Sequence, residues 1–196
     1  DAIGSFAPGQ GLRAVLLLTY SFDGKWIEEG FVPDLFDRPV ANALVIRDAH
    51  RIVSEAPTVR YHRANAGFST RVFHPKLGLF VAEDRALAVI GSANLTRGGL
   101  ERNLELASAF EVSRSGGPRP LFEGILRYIT GPLMGEVGAR GPAATSLRDT
   151  AVALREVLVD VPTTLENPHL FIHNYELPLW EQVLEALPHR YVARLS

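Results

Sequence analysis

His74 and Lys76 stand two positions apart in the segment Val72-Phe73-His74-Pro75-Lys76. In extended chain, side chains alternate, so the imidazole and the ammonium share one face and Pro75 takes the other. An apolar run follows, then Gly91-Ser92-Ala93-Asn94-Leu95-Thr96, then Asn103 and Glu105. The set comprises an imidazole, an ammonium, a hydroxyl, a carboxamide and a carboxylate. It suits chemistry at a phosphodiester. Lys76 and Asn94 can hold the non-bridging oxygens and stabilise a five-coordinate phosphorane, with Ser92 as a further donor. His74 can attack phosphorus as a covalent nucleophile if a carboxylate holds its other ring nitrogen. Glu105 is the candidate for that task.

The elements around these residues must bring them to one place. Residues 77–82 read as a buried strand, Glu83-Asp84-Arg85 as a polar turn, and residues 86–90 as a second strand antiparallel to the first. The end of that strand delivers Gly91 to Asn94 beside His74. Asn103-Leu104-Glu105-Leu106 alternates polar and apolar, which puts Asn103 and Glu105 on one face of a third strand over residues 104–112.

His-x-Lys followed by Gly-Ser-x-Asn resembles the signature of the phospholipase D superfamily. The residues that carry the resemblance are His74, Lys76, Gly91, Ser92, Asn94 and Glu105. Gly-Ser-Ala-Asn-Leu-Thr with the later Asn-x-Glu looks like the nuclease branch found in restriction and helicase-associated proteins. Many members carry an Asp five residues after the Lys, where this chain has Val81. The restriction-nuclease and tyrosyl-DNA phosphodiesterase branches also lack that Asp, so the departure weakens a lipase reading more than a nuclease reading. The resemblance implies an α/β fold, a phospholipase D-like mixed central sheet flanked by helices on both faces. It implies metal-independent phosphodiester cleavage through a phosphohistidine, with no cofactor and no metal. It also implies two His-x-Lys sets meeting at a pseudo-twofold axis, one His attacking while the other protonates the leaving oxygen. This chain has one set, so the second comes from another copy in a homodimer or from a second half of a longer chain. A lipid phosphodiesterase and a non-catalytic module that binds nucleic acid are the alternatives. No apolar interfacial helix supports the lipid reading.

The 196 residues suffice for one α/β domain with a core, and 46 % apolar with 21 % charged residues is ordinary for a globular protein. The absence of cysteine excludes disulfides and thiolate metal sites and fits a reducing compartment, so the expected location is the cytoplasm. No apolar run reaches the ~18 residues of a membrane helix, and no signal peptide is evident. A start at Asp1 rather than Met reads as a fragment or a processed product. The net charge of −2 is unevenly distributed. Residues 47–102 hold nine Lys/Arg against five Asp/Glu, and the remainder hold eleven against seventeen. The basic excess surrounds the motif, as a polyanion site requires. The expected partner is nucleic acid, DNA ahead of RNA, in restriction or defence.

Along the chain, residues 12–19 read as a buried parallel strand. Tyr20-Ser21-Phe22-Asp23-Gly24 leaves it as a loop. Tyr20 and Ser21 are either substrate-loop residues or a turn packing on the next helix. That helix is expected over residues 25–35, with Pro33 within it. Residues 42–47 read as a second buried strand, 48–56 as a short helix carrying a surface His50, and 58–62 as a third strand. His62, Arg63 and Arg71 can line an approach for phosphates, and Arg97 and Gly91 join them as substrate-binding candidates. Residues 97–102 form a glycine-rich crossing. Helices are expected over 121–129, ended by Gly131-Pro132, and over 144–158, with a glycine-rich stretch between them. Residues 1–160 thus read as one phospholipase D-like repeat. Residues 161–196 read as a connecting segment, with a helix over 177–187 and a fresh strand over 190–195 that could begin a second repeat.

Overall fold

A computed structural model of the chain describes residues 5–31, 33, 37–51, 58–67, 72–162, 169–173 and 179–186. Six strands form one mixed sheet. They are β1 Ala14–Thr19, β2 Ala43–Asp48, β3 His62–Ala66, β4 Leu77–Val81, β5 Arg85–Gly91 and β6 Ala107–Ser113. Their order is β3-β2-β1-β4-β5-β6. β1 pairs parallel with β2 and antiparallel with β4, β2 with β3 is parallel, and the β4-β5-β6 half is antiparallel. This brings the C-terminal ends of β1, β2 and β5 and the N-terminal ends of β4 and β6 to one end of the sheet.

Every residue of β1 and of β2 is buried. Two cores explain the apolar runs 14–18 and 43–46, while the polar Thr19, Arg47 and Asp48 close the strands. On one face Ala14, Leu16, Leu18, Leu44 and Ile46 pack with Phe122, Ile125, Ile129, Leu133, Leu147 and Leu154. On the other Val15, Leu17, Val45, Phe80 and Leu87 pack with Phe6, Phe22, Ile27 and Tyr61. The two-residue period of the strand thus serves both layers at once. The second face is covered by a short helix α1, Gly24–Trp26, capped by Asp23, which accepts from Trp26 N at 3.1 Å, and by the π-helical turn Ile27–Phe31. The first face carries α2 Arg119–Tyr128, a π-helical turn Ile129–Leu133, α3 Met134–Val137 and the long α4 Pro142–Val159. A further helix, α5, spans Leu179–Ala186.

The architecture is the expected α/β sheet between helical layers, and the antiparallel β4–β5 hairpin turns at Glu83 and Asp84 as the sequence indicates. Several boundaries differ. The edge strand β3 lies at residues 62–66 rather than 58–62, leaving Val59 wholly exposed. β6 starts at Ala107, because Ser92 Oγ accepts from Leu106 N at 3.1 Å and closes the ladder at the Gly91–Ala107 pair. Gly131-Pro132 does not end the helical path. A π turn whose Ile129 and Leu133 are fully buried carries the chain through Pro132, and Gly138, at φ 87°, ends α3. Asp48 closes β2 rather than opening a helix, and Ala49–Arg51 is a single 3-10 turn. Residues 52–57, 34–36 and 190–195, on which parts of the other expected elements fall, lie outside the described residues.

Candidate active site

His74 lies on the extended segment that precedes β4, before the ladder begins. Lys76 Nζ stands 2.7 Å from His74 Nδ1 and 3.1 Å from Nε2, and donates to the His74 carbonyl at 3.2 Å. The predicted imidazole–ammonium pair is thus in contact. Removal from water, and secondly the Lys76 charge, hold the His74 imidazole below its ordinary value, with Asp48 opposing. Removal from water also lowers Lys76, against the pull of Glu105. A neutral imidazole is the form that can attack phosphorus.

The ring of Tyr20 lies 4.6 Å from that of His74 and 5.7 Å from Lys76 Nζ. Its hydroxyl accepts from Arg51 Nε at 2.7 Å. Tyr20 therefore lies beside the His74–Lys76 pair, and the Ser21 N–H points to Asn94 Oδ1 at 3.4 Å. The hydroxyl of Thr19, with 0 % exposure, donates to Ser21 O at 2.8 Å and accepts from Leu95 N at 3.1 Å. Asp23 N donates to Leu95 O at 2.9 Å. These bonds seat the Asn94 loop on the end of β1. Gly99 closes the loop from behind. A Cβ there would stand 2.4 Å from Asn94 O, so this position admits only glycine without a shift.

Gly91 N donates to Lys76 O at 3.2 Å, which brings the second motif alongside the first. A Cβ on Gly91 would meet Leu106 O at 2.6 Å, so its glycine lets the chain before β6 approach. Ser92 Oγ donates to Glu105 Oε2, and Asn103 Nδ2 donates to Glu105 Oε1 at 3.3 Å. The expected hydrogen bond between Glu105 and His74 is absent from the described residues. Glu105 reaches the site through Ser92 and through its field on Lys76, because residues 103–106 run off the ladder instead of continuing a strand under His74. Arg97 is engaged locally, with its Nε on Glu101 at 2.9 Å, while the other oxygen of Glu101 accepts from Trp26 Nε1 at 2.8 Å. Arg71 lies outside the described residues. His62 opens β3 opposite Leu44, at the strand end remote from Asp48.

Sequence reading missed one group. Asp48, 1 % exposed, accepts from Phe73 N at 2.7 Å and from His50 N at 2.8 Å, and His50 Nδ1 stands 3.3 Å away. An Arg-Asp pair closing an otherwise apolar strand was the available signal. Among the described residues no group of three or more His, Asp and Glu side chains is placed to hold a metal ion, and no helix is long and apolar enough to cross a membrane.

Fold and site define a mixed α/β protein with an imidazole–ammonium pair at one end of its sheet. Among solved structures the chain is similar to NucT from Helicobacter pylori, at 15 % identity and a TM-score of 0.41, over 55 % of this chain and 72 % of that one. No protein-family model matches the sequence, and no curated protein matches it.

Proposed function

We propose that the chain is a metal-independent phosphodiesterase of phospholipase D type, a nuclease acting through a phosphohistidine at His74. The observation that carries this reading is the contact of Lys76 Nζ with the His74 ring, which favours a neutral nucleophile beside a cation. An unprotonated ring nitrogen of His74, released by Lys76 as it turns to the phosphate, attacks phosphorus, and the bond from phosphorus to the leaving oxygen breaks as that oxygen takes a proton. Water then attacks the phosphohistidine, giving its proton to the group that protonated the leaving oxygen, as the P–N bond breaks and the neutral imidazole is released. Lys76 and Asn94 stabilise the charge on the phosphoryl oxygens, with Ser92 as a further donor. The substrate is nucleic acid, DNA before RNA.

One His-x-Lys set cannot both attack and protonate across one phosphate. The proton comes from a second set, supplied by another copy or by a second half of a longer chain. The single set also favours one alternative, a module that binds nucleic acid without cutting it. The experiment is a quench of labelled oligonucleotide turnover in EDTA. An acid-labile protein adduct, lost in His74→Ala, is expected. Cleavage restored only by magnesium or manganese would overturn the mechanism. Activity that falls faster than concentration on dilution, in step with sedimentation, is the expected sign of the two-copy version.

A further inference from the structure

We infer that Asp48 is the positioning residue for His74, fixing the backbone ahead of the imidazole and the loop that carries the ring packed against it. The inference rests on His74 being the reacting group proposed above. A buried carboxylate is costly unless its oxygens are well hydrogen-bonded. Asp48 meets that condition with two backbone donors from two separate segments, Phe73 N on Oδ2 and His50 N on Oδ1.

The first bond holds the residue immediately before His74. Residues 72–76 lie outside the strands, and only at Lys76, whose carbonyl accepts from Gly91 N at 3.2 Å, does a strand hold them among the described residues. The second bond holds the 3-10 turn Ala49–Arg51, and Arg51 in turn grips the Tyr20 hydroxyl. The Asp48 backbone N–H adds a third link, to Tyr20 O at 3.4 Å. Tyr20 stacks on His74. One side chain thus ties the nucleophile's own segment to the loop that carries its ring neighbour. Groups that orient metal-bound histidines by hydrogen bonds are worth about tenfold to a hundredfold in affinity or activity, and an effect of that order is expected here.

Asp48→Asn keeps the shape, removes the charge and leaves one acceptor oxygen where two backbone N–H groups are now held. The charged groups around the imidazole are Lys76 on its own segment, Asp48 from β2, and Arg51 behind Tyr20, with Glu105 acting on Lys76. The Asp48 carboxylate favours the protonated ring, so its loss moves the His74 titration to lower pH. The expected result is a fall in kcat of about tenfold to a hundredfold with a smaller change in KM. The acid limb of the rate profile, and the His74 ring resonances followed by NMR, shift downward together. Asp84→Asn, at the other end of the sheet, is the control that moves neither. A folded Asp48→Asn protein with wild-type kcat and an unmoved His74 titration overturns the proposal. Should Asp48→Asn fail to fold, the wild-type protein supplies the test. Its Phe73 amide is expected at low field and protected from exchange, as a donor to a buried carboxylate is. A Phe73 amide exchanging like an open loop overturns it equally. The NMR readouts do not depend on turnover, so they stand apart from any failure of the nuclease reading.

Discussion

On the β1–β2 side of the site the supporting polar groups are buried. Asp48 and Thr19 have almost no exposure, and each is bonded to backbone of two different segments. On the β5–β6 side Ser92, Asn103 and Glu105 bond mainly to one another near the surface. Leu104 and Leu106, which flank Glu105, are 101 % and 81 % exposed. The first side resembles a scaffold in which water cannot compete. The second is a network that water can enter, on the last strand of the sheet. The buried side holds His74, the proposed nucleophile, and the Asn94 loop through backbone. The open side tunes them through Lys76 and Ser92. Preorganisation of this kind is where catalytic energy is concentrated.

Mutation tests that contrast from its strongest point downward. His74→Ala should remove turnover by about 10⁴-fold or more, while fluorescence anisotropy with a labelled oligonucleotide changes only a few-fold, since binding rests on several cations. Normal turnover in that variant would leave the buried side without its nucleophile. Asn94→Ala and Lys76→Ala should each lower kcat by about 10²–10³-fold, and Lys76→Ala should also raise KM. Gly99→Ala deletes no functional group, yet its Cβ would press on Asn94 O. Its kcat should fall toward that of Asn94→Ala, with a lowered melting temperature. An unchanged kcat would show that the loop has room to give.

The open side should respond less. Glu105→Gln and Ser92→Ala should lower kcat by less than Asn94→Ala, and cost under about 1 kcal/mol in urea unfolding, because water replaces an exposed hydrogen bond. A Glu105→Gln loss equal to that of His74→Ala would invert the comparison. The smallest effect is in pH. The imidazole of His74 is depressed, chiefly by removal from water, so it stays neutral below the ordinary midpoint of about 6.5. The acid limb of kcat/KM should therefore lie below that value. The unfolded chain protonates first as pH falls, so this group's effect on stability is nil above the ordinary midpoint and becomes destabilising below it. Lys76→Met should raise the His74 midpoint only part of the way, since burial is the larger cause.

Much of the scaffold is legible locally. The apolar run that becomes Ala14–Thr19 has no polar break, and Glu83-Asp84 has no alternative to turning between two apolar stretches. His74 and Lys76 needed only a two-residue spacing. What escaped local reading depends on partners far along the chain. Asp48 looks like a helix N-cap, a preferred role for Asp, but its side chain bonds Phe73, twenty-five residues on. Residues 103–106 alternate as a strand does, yet the Ser92 side chain takes the place of a backbone partner there. Tyr20 was ambiguous for the same reason, because the ring it meets belongs to His74.

The mixed order of the sheet also bears on how the molecule comes into being. β1 lies between β2 and β4, and its Leu16 pairs with Leu79, more than sixty positions away. The strand is therefore synthesised long before its second neighbour, with a sequence apolar up to Thr19 and an unpaired edge. Pairings so distant in sequence slow folding, since a large loop must close before any contact rewards it. During that interval a nascent Ala14–Thr19 is the segment best suited to misassociate with other chains. The end of the sheet that carries His74 and Lys76 cannot exist until β4 docks, so the proposed site and protection from aggregation arise in the same folding event.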